Sequence, residues 1–441
     1  MTIVKKTSNA KKNRMLEEDT PLHHWYQFVL CYPPHLVRHY LKKFNVGTNN
    51  IVLDPFCGTG TTPIECLKNG IESYGVESNP IACLASQVKT TTNLDPNELT
   101  NYLAYIIKSA TISFDNLGIP DKYTLLYELK TNKKLVQINS IPQINEDKQK
   151  IIPTDFISKK PLSKILVMKE IVNEIDDNRI RDFFIISMAN LIVKKAGNIS
   201  FGPEIGRTEP KIDIDALNYF FSHTHRMIQD VIRYNSLDAK ATIIKGDSRY
   251  LDEYLPRNVL GKIDCVITSP PYPNEKDYTR STRLESVLLD FLNNKEDLRR
   301  LKSNLLRSNS RNIFVTDNDG DQIKDFERIN KIADEIERKR IALNKSSGFE
   351  KMYHKIVRHY FGGMYLHLKS LKPFLSQKAK LVYIVGDQMS FFRTCIPTAE
   401  LLSEIAESLG YRELAIELWR TRLATVTKMQ LNENALILEN V

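Results

Sequence analysis

The pentapeptide Thr268–Tyr272 carries the residue types best suited to chemistry, and it ends the apolar run Ile263–Ile267, which predicts a buried strand. Each proline fixes φ and lacks an N–H, so the loop backbone presents carbonyl acceptors without competing donors. A flat ring with an exocyclic amine can donate one N–H to the Ser269 hydroxyl and the other to the Pro270 carbonyl, while Tyr272 stacks on the ring. An ordinary Pro-Pro turn explains the pentapeptide alone equally well.

A second segment combines a strand, a glycine turn and a helix. Ile51–Leu53 is a short apolar run, Asp54–Thr62 contains Gly-Thr-Gly, and Ile64–Asn69 has helical periodicity. This order lets a backbone approach a ligand closely at a helix N-terminus. Ser73–Glu77 follows as a second predicted strand, and its terminal acid Glu77 has the placement expected for binding ribose hydroxyls.

On these two segments the chain resembles the S-adenosylmethionine-dependent amino-methyltransferases of DNA, which modify N4 of cytosine or N6 of adenine. Asp54–Thr62 is similar to their Asp-Pro-Phe-x-Gly-x-Gly-Thr cofactor motif, and Ser269–Tyr272 is similar to their Ser/Asp/Asn-Pro-Pro-Tyr catalytic motif. The resemblance implies an α/β fold, a doubly wound Rossmann-like sheet of seven strands with the last antiparallel, carrying a mostly helical insertion.

The resemblance also implies roles for particular residues. His24–Asn45 is similar to the helical element that completes the methionine pocket, Ala241–Ser248 to the next family strand, Lys380–Asp387 to a later strand and Glu417–Leu438 to the terminal hairpin. The implied cofactor-binding residues are Tyr32, Asp54, Phe56, Gly58, Gly60, Thr61, Glu77 and Asp247, the last placed to accept from the adenine amine. The implied catalytic residues are Ser269, Pro270, Pro271 and Tyr272.

The implied reaction moves a methyl group from S-adenosylmethionine to an exocyclic amine of a flipped-out base in double-stranded DNA. Ser269, where other members have aspartate, favours N4 of cytosine over N6 of adenine. We expect no metal, since the sulfonium is already a strong electrophile and catalysis is mainly alignment and desolvation. A cognate restriction endonuclease is a further expected partner. RNA or protein-glutamine methylation and a non-catalytic nucleic-acid-binding subunit are the alternatives.

Several classes of protein are disfavoured by the sequence. A dehydrogenase needs a third glycine at the position occupied here by Pro63. A cytosine-C5 methyltransferase needs a cysteine nucleophile after a proline in its catalytic loop, and no cysteine is present there. The six cysteines form no C-x-x-C pair, and Cys57 is interpreted as a small packing residue. No apolar run reaches the roughly 18 residues of a membrane span, and no signal-peptide core is present, so we expect a cytoplasmic protein. The net charge of +9 suits a polyanionic partner.

The sequence predicts six regions along the chain. They are a flexible basic arm (1–20), the cofactor half of the core (21–90), a mostly helical insertion that is the first candidate for target recognition (91–240), the catalytic strand and loop (241–292), a charged insertion (293–345) and the C-terminal part of the core (346–441). In the helical insertion Phe184, Met188 and Leu191 share a predicted helix face, and Ser200–Arg207 is either a base-reading loop or a structural turn.

Basic residues suggest contacts with phosphates in three places. In the charged insertion, contacts with guanine edges or a solvated face are the alternatives. For Arg280 and Arg283, the alternative is a charged helix start. In the charged insertion the basic residues are Arg299, Arg300, Lys302, Arg307 and Arg311. After the catalytic loop Asn274, Asp277 and Tyr278 are placed to border the base pocket, and Arg280 and Arg283 to meet phosphates. Between 351 and 380 the basic residues Lys351, Lys355, Arg358, Lys369, Lys372, Lys378 and Lys380 form a predicted DNA backbone track, with Tyr353, Val357, Tyr360 and Met364 packing inward.

Overall fold

The computed structural model describes residues 14–27, 31–121, 129–201, 205–235, 237, 239–273, 276–423 and 429–441. The strands are β1 (Ile51–Asp54), β2 (Glu72–Glu77), β3 (Ile199–Phe201), β4 (Ile205–Arg207), β5 (Ala241–Lys245), β6 (Ile263–Thr268), β7 (Leu375–Gly386), β8 (Tyr411–Leu423) and β9 (Gln430–Asn440).

The helices before the catalytic strand are α1 (Thr20–His23), α2 (Pro34–Lys43), α3 (Thr61–Lys68), α4 (Pro80–Lys89), α5 (Pro96–Asn116), α6 (Glu146–Gln149), α7 (Lys159–Asn173), α8 (Asn178–Leu191), α9 (Ala216–Tyr234) and α10 (Leu251–Tyr254). Those after it are α11 (Tyr278–Ser281), α12 (Arg283–Leu288), α13 (Lys295–Ser303), α14 (Glu327–Ala342), α15 (Tyr353–Leu371) and α16 (Thr398–Ser408).

Seven strands form one sheet in the order β5-β2-β1-β6-β7-β9-β8. Strands β1, β2, β5, β6 and β7 are mutually parallel, and β9 runs antiparallel to both of its neighbours. The predicted seven-stranded doubly wound sheet with an antiparallel last strand is therefore confirmed. The strand order reverses between β1 and β6, and open α/β sheets bind ligands at the carboxyl ends of the strands beside such a switch point.

Glycine is required where the first strand passes into its helix. Gly60 has φ +90° and immediately precedes α3, a backbone conformation that is costly for residues with a Cβ. A Cβ at this position would lie 2.5 Å from the Ser86 hydroxyl on α4. The turn after β1 therefore packs against α4 at a distance that only glycine allows.

The region between β2 and β5 contains a helical segment, which we define as residues 96–234. Its long helices α5, α7, α8 and α9 bury a large apolar cluster that also includes residues of α4 and α12. Phe184, Met188 and Leu191, predicted to share one helix face, are fully buried in that cluster. Ser200–Arg207 contributes the antiparallel strands β3 and β4, and residues 202–204 of this stretch lie outside the described residues.

A bridging segment, defined as residues 295–323, lies within the predicted charged insertion. It contains α13 and two 3₁₀ turns, Ser310–Asn312 and Asp319–Ile323. The second turn packs on α15 at Gly362, where a Cβ would lie only 1.8 Å from the Asp319 carbonyl oxygen. After this segment α14 buries Ile329 and Ile336, so it is amphipathic and is not a freely exposed helix.

The prediction of a flexible basic arm changes in its described part, whereas the inward face of α15 agrees with the prediction. Residues 1–13 of the predicted basic arm lie outside the described residues, but Asp19 is buried and pairs with Arg38 at 2.6 Å. Helix α15 buries Val357, Tyr360 and Met364 as predicted, and Tyr353 is partly buried against the same apolar cluster.

The predicted DNA backbone track along residues 351–380 is interrupted. Lys355 and Lys369 are exposed, but they are separated by 14 residues, about 21 Å of helix. Arg358 pairs with Asp334, and Lys380 pairs with Glu439. The basic residues therefore do not form one continuous track.

Candidate functional site

A cavity of about 300 Å³ opens at the carboxyl ends of the parallel strands. It is lined by Tyr32, Phe56, Gly58, Thr61, Glu77 and Asp247 from the predicted cofactor set and by Ser269, Pro270, Pro271 and Tyr272 from the predicted catalytic set. Asp54 and Gly60, also in the predicted cofactor set, do not line the cavity. Two motifs that lie some 200 residues apart in the chain therefore share one cavity.

The glycine turn presents open backbone to this cavity. Gly58 has φ +52°, and no atom lies within 4 Å of the position that a Cβ would take there. Its N–H donates to Glu77 Oε2 at 2.9 Å. The turn thereby holds the carboxylate that ends β2 and leaves room for a ligand above the backbone.

Glu77 also accepts from the Asn79 N–H, at 2.7 Å to Oε1. Burial raises its pKa to about 7, and the two backbone N–H groups act in the opposite direction. The two N–H groups fix the orientation of the carboxylate, and further lone pairs on its oxygens can accept from a ligand.

Asp54 joins the cofactor turn to the catalytic loop. Its Oδ1 accepts from the Thr268 hydroxyl at 2.6 Å, and its Oδ2 accepts from the Tyr32 hydroxyl at 2.6 Å. The Phe56 N–H donates to it as well, at 3.1 Å. Burial raises the pKa of Asp54 to about 6, against the effect of these donors. Asp54 is therefore a positioning residue between the two motifs, which the sequence alone did not indicate.

Asp247 reaches the cavity already paired. Arg249 approaches its Oδ2 at 2.6 Å and also donates to Asp319 at 2.7 Å and to the Ser303 carbonyl at 2.7 Å. Arg249 is 4% exposed, so these pairs are shielded from water. One arginine thus connects the strand that carries Asp247 to the bridging segment. The predicted role of Asp247 toward adenine stays a prediction.

In the catalytic loop the Ser269 hydroxyl donates to the Ile384 carbonyl on β7 at 3.0 Å. The Ser269 side chain also forms a hydrogen bond with the Tyr272 phenol, and its oxygen has lone pairs that can accept. The Tyr272 ring packs against Gly386, where a Cβ would lie 3.0 Å from Cε2 of the ring. Burial raises the pKa of the Tyr272 phenol well above its usual range. Both side chains therefore take up fixed positions against the end of β7.

The terminal hairpin supplies a charged group of residues that sequence reasoning missed. Arg420 Nη2 on β8 lies 2.9 Å from Glu433 Oε1 on β9, and Arg422 donates to the Asp387 carbonyl at 2.8 Å. All three of these side chains line the cavity beside Tyr272. The register of the hairpin pairs Arg420 with Glu433, so the signal existed only once the register was known.

The bridging segment forms another wall of the cavity. Its lining residues are Asn304, Leu305, Leu306, Ser308 and Asn312. The Ser78 hydroxyl lies between the carbonyls of Gly246, at 2.5 Å, and Asn304, at 2.9 Å. Asn309 Nδ2 donates to the Lys276 carbonyl at 3.0 Å. The segment therefore spans the cavity from the cofactor side to the catalytic loop. By contrast, no described residue of 91–240 lines the cavity.

Some residues proposed for phosphate contact have structural roles. Arg307 is 3% exposed and pairs with Asp317 at 2.7 Å, so its assignment as a phosphate clamp is wrong. Arg283 is 8% exposed and donates to the Thr279 carbonyl at 3.2 Å, so it does not reach a surface phosphate either. Arg283 is the first residue of α12, in agreement with the alternative of a charged helix start, whereas the buried partner of Arg307 is invisible in a single sequence.

Among the residues that follow the catalytic loop, some have structural roles and one lines the cavity. Asp277 accepts from the N–H of Thr279 at the start of α11 and pairs with Lys302 at 3.2 Å. Tyr278 lines the cavity as predicted, and Asn274 lies outside the described residues. Arg280 is partly exposed, and its role toward phosphates stays a prediction.

Cys57 is 4% exposed and packs with Cys83 and Ile243, in agreement with its interpretation as a packing residue. Within the described ranges, no group of three or more His, Cys, Asp or Glu side chains has the proximity to hold a metal ion. The described helices also include none with the length and apolar character of a membrane span.

In comparisons with known proteins, the match to a family model falls on the N-terminal part of the chain, which contains the predicted cofactor site. The family model of the N6/N4 DNA methylases matches residues 2–88. The chain is 26% identical over 323 residues to the Type II methyltransferase M.MjaII of Methanocaldococcus jannaschii, a match covering 58% of this chain and 60% of that protein. It is 24% identical over 314 residues to the Type II methyltransferase M.MvaI of Kocuria varians, covering 65% and 63% respectively.

A third relative matches over more of the chain. The Type II methyltransferase M.BsoBI of Geobacillus stearothermophilus is 22% identical over 440 residues, covering 90% of this chain and 79% of that protein. The chain spans about three fifths of the length of the first two relatives. The match to M.BsoBI therefore extends well beyond the segment covered by the family model.

Proposed function

We propose that this chain, which belongs to the N4/N6 DNA methyltransferase family, transfers a methyl group from S-adenosylmethionine to an exocyclic amine of a base in double-stranded DNA. The observation that carries the proposal is the single cavity that joins the glycine turn and Glu77 to the Ser269–Tyr272 loop. A methyl donor and an acceptor amine must meet within one enclosed space for direct transfer.

The residues present fit S-adenosylmethionine. The open backbone at Gly58 accommodates a ligand at close range, and the oriented Glu77 carboxylate suits ribose hydroxyls. Tyr32, Phe56 and Thr61 would complete the site on the methionine and adenosine sides. When bound, the cofactor would supply an electrophilic methyl group on a sulfonium.

The chain's own residues would hold and orient the amine. Ser269 Oγ, with its hydrogen donated to Ile384, would accept one N–H, and the Pro270 carbonyl would accept the other. These two hydrogen bonds would take the nitrogen lone pair out of conjugation with the ring and direct it toward the methyl donor. The Tyr272 ring, supported by Gly386, would stack on the extruded base.

We favour N4 of cytosine over N6 of adenine as the target because a hydroxyl stands at position 269. The Type II names of the relatives support a further proposal, a cognate restriction endonuclease acting on the same DNA sequence. The helical segment and the bridging segment are the candidates for target recognition.

Mass spectrometry of nucleosides from DNA of cells that express the protein tests the reaction. We expect N4-methylcytosine, with N6-methyladenine as the alternative product, and none of either in cells expressing Ser269→Ala with Tyr272→Ala. Calorimetric titration of the same double variant should still show binding of S-adenosylmethionine. Accumulation of 5-methylcytosine, or no methylated base at all, would contradict the proposal.

A further inference from the structure

Two polar side chains of the bridging segment enter the cavity without a partner. Asn312 is 0% exposed and Ser308 is 1% exposed, and both line the cavity. Among the described residues, neither amide atom of Asn312 nor the Ser308 hydroxyl finds a hydrogen bond. Buried polar groups in folded proteins are nearly always paired, because leaving one unpaired costs free energy. An unpaired amide and hydroxyl that face one cavity therefore point to a polar ligand.

The contacts of the bridging segment place these side chains at the target end of the cavity. Asn309 lies between them in sequence, and its Nδ2 donates to the Lys276 carbonyl at 3.0 Å. Lys276 follows the Ser269–Tyr272 loop and lines the same cavity. The cofactor end is contacted earlier in the segment, where the Asn304 carbonyl lies 2.9 Å from the Ser78 hydroxyl.

The chemistry of the two groups is specific. Once Ser269 and Pro270 hold the amine of a cytosine, the edge that remains carries two adjacent acceptors, N3 and O2. An adenine held in the same way presents one acceptor, N1, next to a C–H. Asn312 supplies amide N–H donors, and Ser308 supplies an O–H donor. Two donors match the cytosine edge and leave one donor unpaired on adenine.

We propose that Asn312 and Ser308 read the N3 and O2 acceptors of a flipped-out cytosine and thereby determine the choice of base. This inference rests on the proposed DNA methyltransferase function. It moves part of the recognition of the target base from the catalytic loop to the bridging segment, whose arginines suggested contacts with phosphates or with guanine edges.

The decisive variant is Asn312→Leu, which keeps the volume and removes both polar atoms. Its matched control is Asn318→Leu, at an exposed position of the same segment. Methyl transfer from S-adenosylmethionine is measured on a duplex carrying the sequence found to be methylated in cells. We expect kcat/KM to fall about 10- to 100-fold for Asn312→Leu, the equivalent of losing one or two buried hydrogen bonds, and to stay unchanged for the control.

Two further measurements distinguish a loss of base recognition from a loss of protein stability. The melting temperature of Asn312→Leu should equal or exceed that of the wild type, because the amide has no protein partner to lose. Binding to the same duplex with an abasic target site should be identical for both proteins, since no base is present to be read. Ser308→Ala, which deletes a single oxygen, should show the same pattern with a smaller loss.

The possible failures are distinguishable. No methylated nucleoside with the wild-type protein would overturn the proposed function and this inference together. Wild-type activity retained by Asn312→Leu and Ser308→Ala would overturn this inference alone. Equal loss of binding on the intact and abasic duplexes would make Asn312 a structural residue and would also overturn it.

Discussion

The two segments inserted into the sheet differ in how they are built and in what they reach. The helical segment buries a large apolar cluster and contributes no described residue to the cavity. The bridging segment buries few apolar side chains and is held by polar contacts, yet five of its residues line the cavity. The difference indicates that proximity to the chemistry follows the network of polar contacts and is independent of the size of the insertion.

Breaking one buried ion pair in each segment is the strongest test of this comparison. Arg249→Met leaves Asp247 and Asp319 buried without their cation, and we expect a loss of about 3 to 5 kcal/mol in the free energy of unfolding. The affinity of the folded protein for S-adenosylmethionine should fall as well, because the bridging segment loses its connection to Asp247. Urea denaturation and calorimetric titration measure the two effects.

Lys164→Met is the matched control in the helical segment. Lys164 is fully buried and pairs with Asp121 and Asp213, so its loss should also destabilise the fold. Its effect on cofactor affinity should be nil. If the two variants bind S-adenosylmethionine with equal affinity, the bridging segment does not contribute to cofactor binding.

A pH series separates the wall of the cavity from the bridging segment, whose lining residues include no titratable side chain. The folded pKa of Glu77, about 7, lies above its ordinary value of 4.5, so its contribution to stability is greatest below about pH 4.5 and is lost as the pH rises through 7. Cofactor affinity should move the opposite way, rising about tenfold from pH 6 to pH 8 as Glu77 ionises.

Glu77→Gln should bind S-adenosylmethionine more weakly than the wild type at pH 8 and with a flat pH profile. Calorimetry in buffers of different ionisation enthalpy would detect proton release in the wild type only. A wild-type affinity that does not change with pH would mean that Glu77 is already ionised in the free protein.

The outer surfaces of the two segments give a smaller effect. Arg299 on α13 and Lys134 beside the helical segment's α5 are both exposed. If the bridging segment faces DNA, Arg299→Ala should reduce the slope of log K against log salt by about 0.9, and Lys134→Ala should leave it unchanged. DNA binding measured between low and physiological salt tests this, and equal slopes for the two variants would contradict it.

The smallest effect is expected from a single hydroxyl. Ser78→Ala removes the hydroxyl shared by the Gly246 and Asn304 carbonyls and should weaken cofactor binding by about 1 kcal/mol or less. Hydrogen exchange at residues 304–306 should accelerate. Ser163→Ala deletes a comparable bond, to the Lys159 carbonyl in the helical segment, and should leave that exchange unchanged.

The features that could be predicted from the sequence are those that a short run of consecutive residues determines. The strand-turn-helix at Asp54–Thr62 and the apolar strand before Ser269 could be predicted because a few consecutive residues specify each one. The seven-stranded sheet with an antiparallel last strand followed from the family resemblance and is confirmed, whereas the order of the strands was not predicted. Seven of the ten predicted site residues that line the cavity belong to these two motifs, namely Phe56, Gly58, Thr61, Ser269, Pro270, Pro271 and Tyr272. Glu77 was predicted from its position at the end of a strand, and Tyr32 and Asp247 were predicted from the family resemblance.

The missed residues depend on contacts between distant parts of the chain. The Asp54–Thr268 hydrogen bond joins positions 214 residues apart, and the Arg249–Asp319 pair joins positions 70 apart. Arg307 was misassigned because sequence shows its charge but not its partner Asp317. No periodicity or motif indicates these hydrogen bonds and ion pairs, because each one requires only a single suitable side chain at each of two distant positions.

The position of β9 between β7 and β8 has a consequence for how the protein is made. During synthesis β8 leaves the ribosome before the strand that attaches it to the sheet, so Arg420 and Arg422 have no fixed place until residues beyond Gln430 have emerged. The wall of the cavity they form must then be among the last parts to assemble. A nascent chain stalled before that point would already hold the cofactor turn but would lack a finished target pocket.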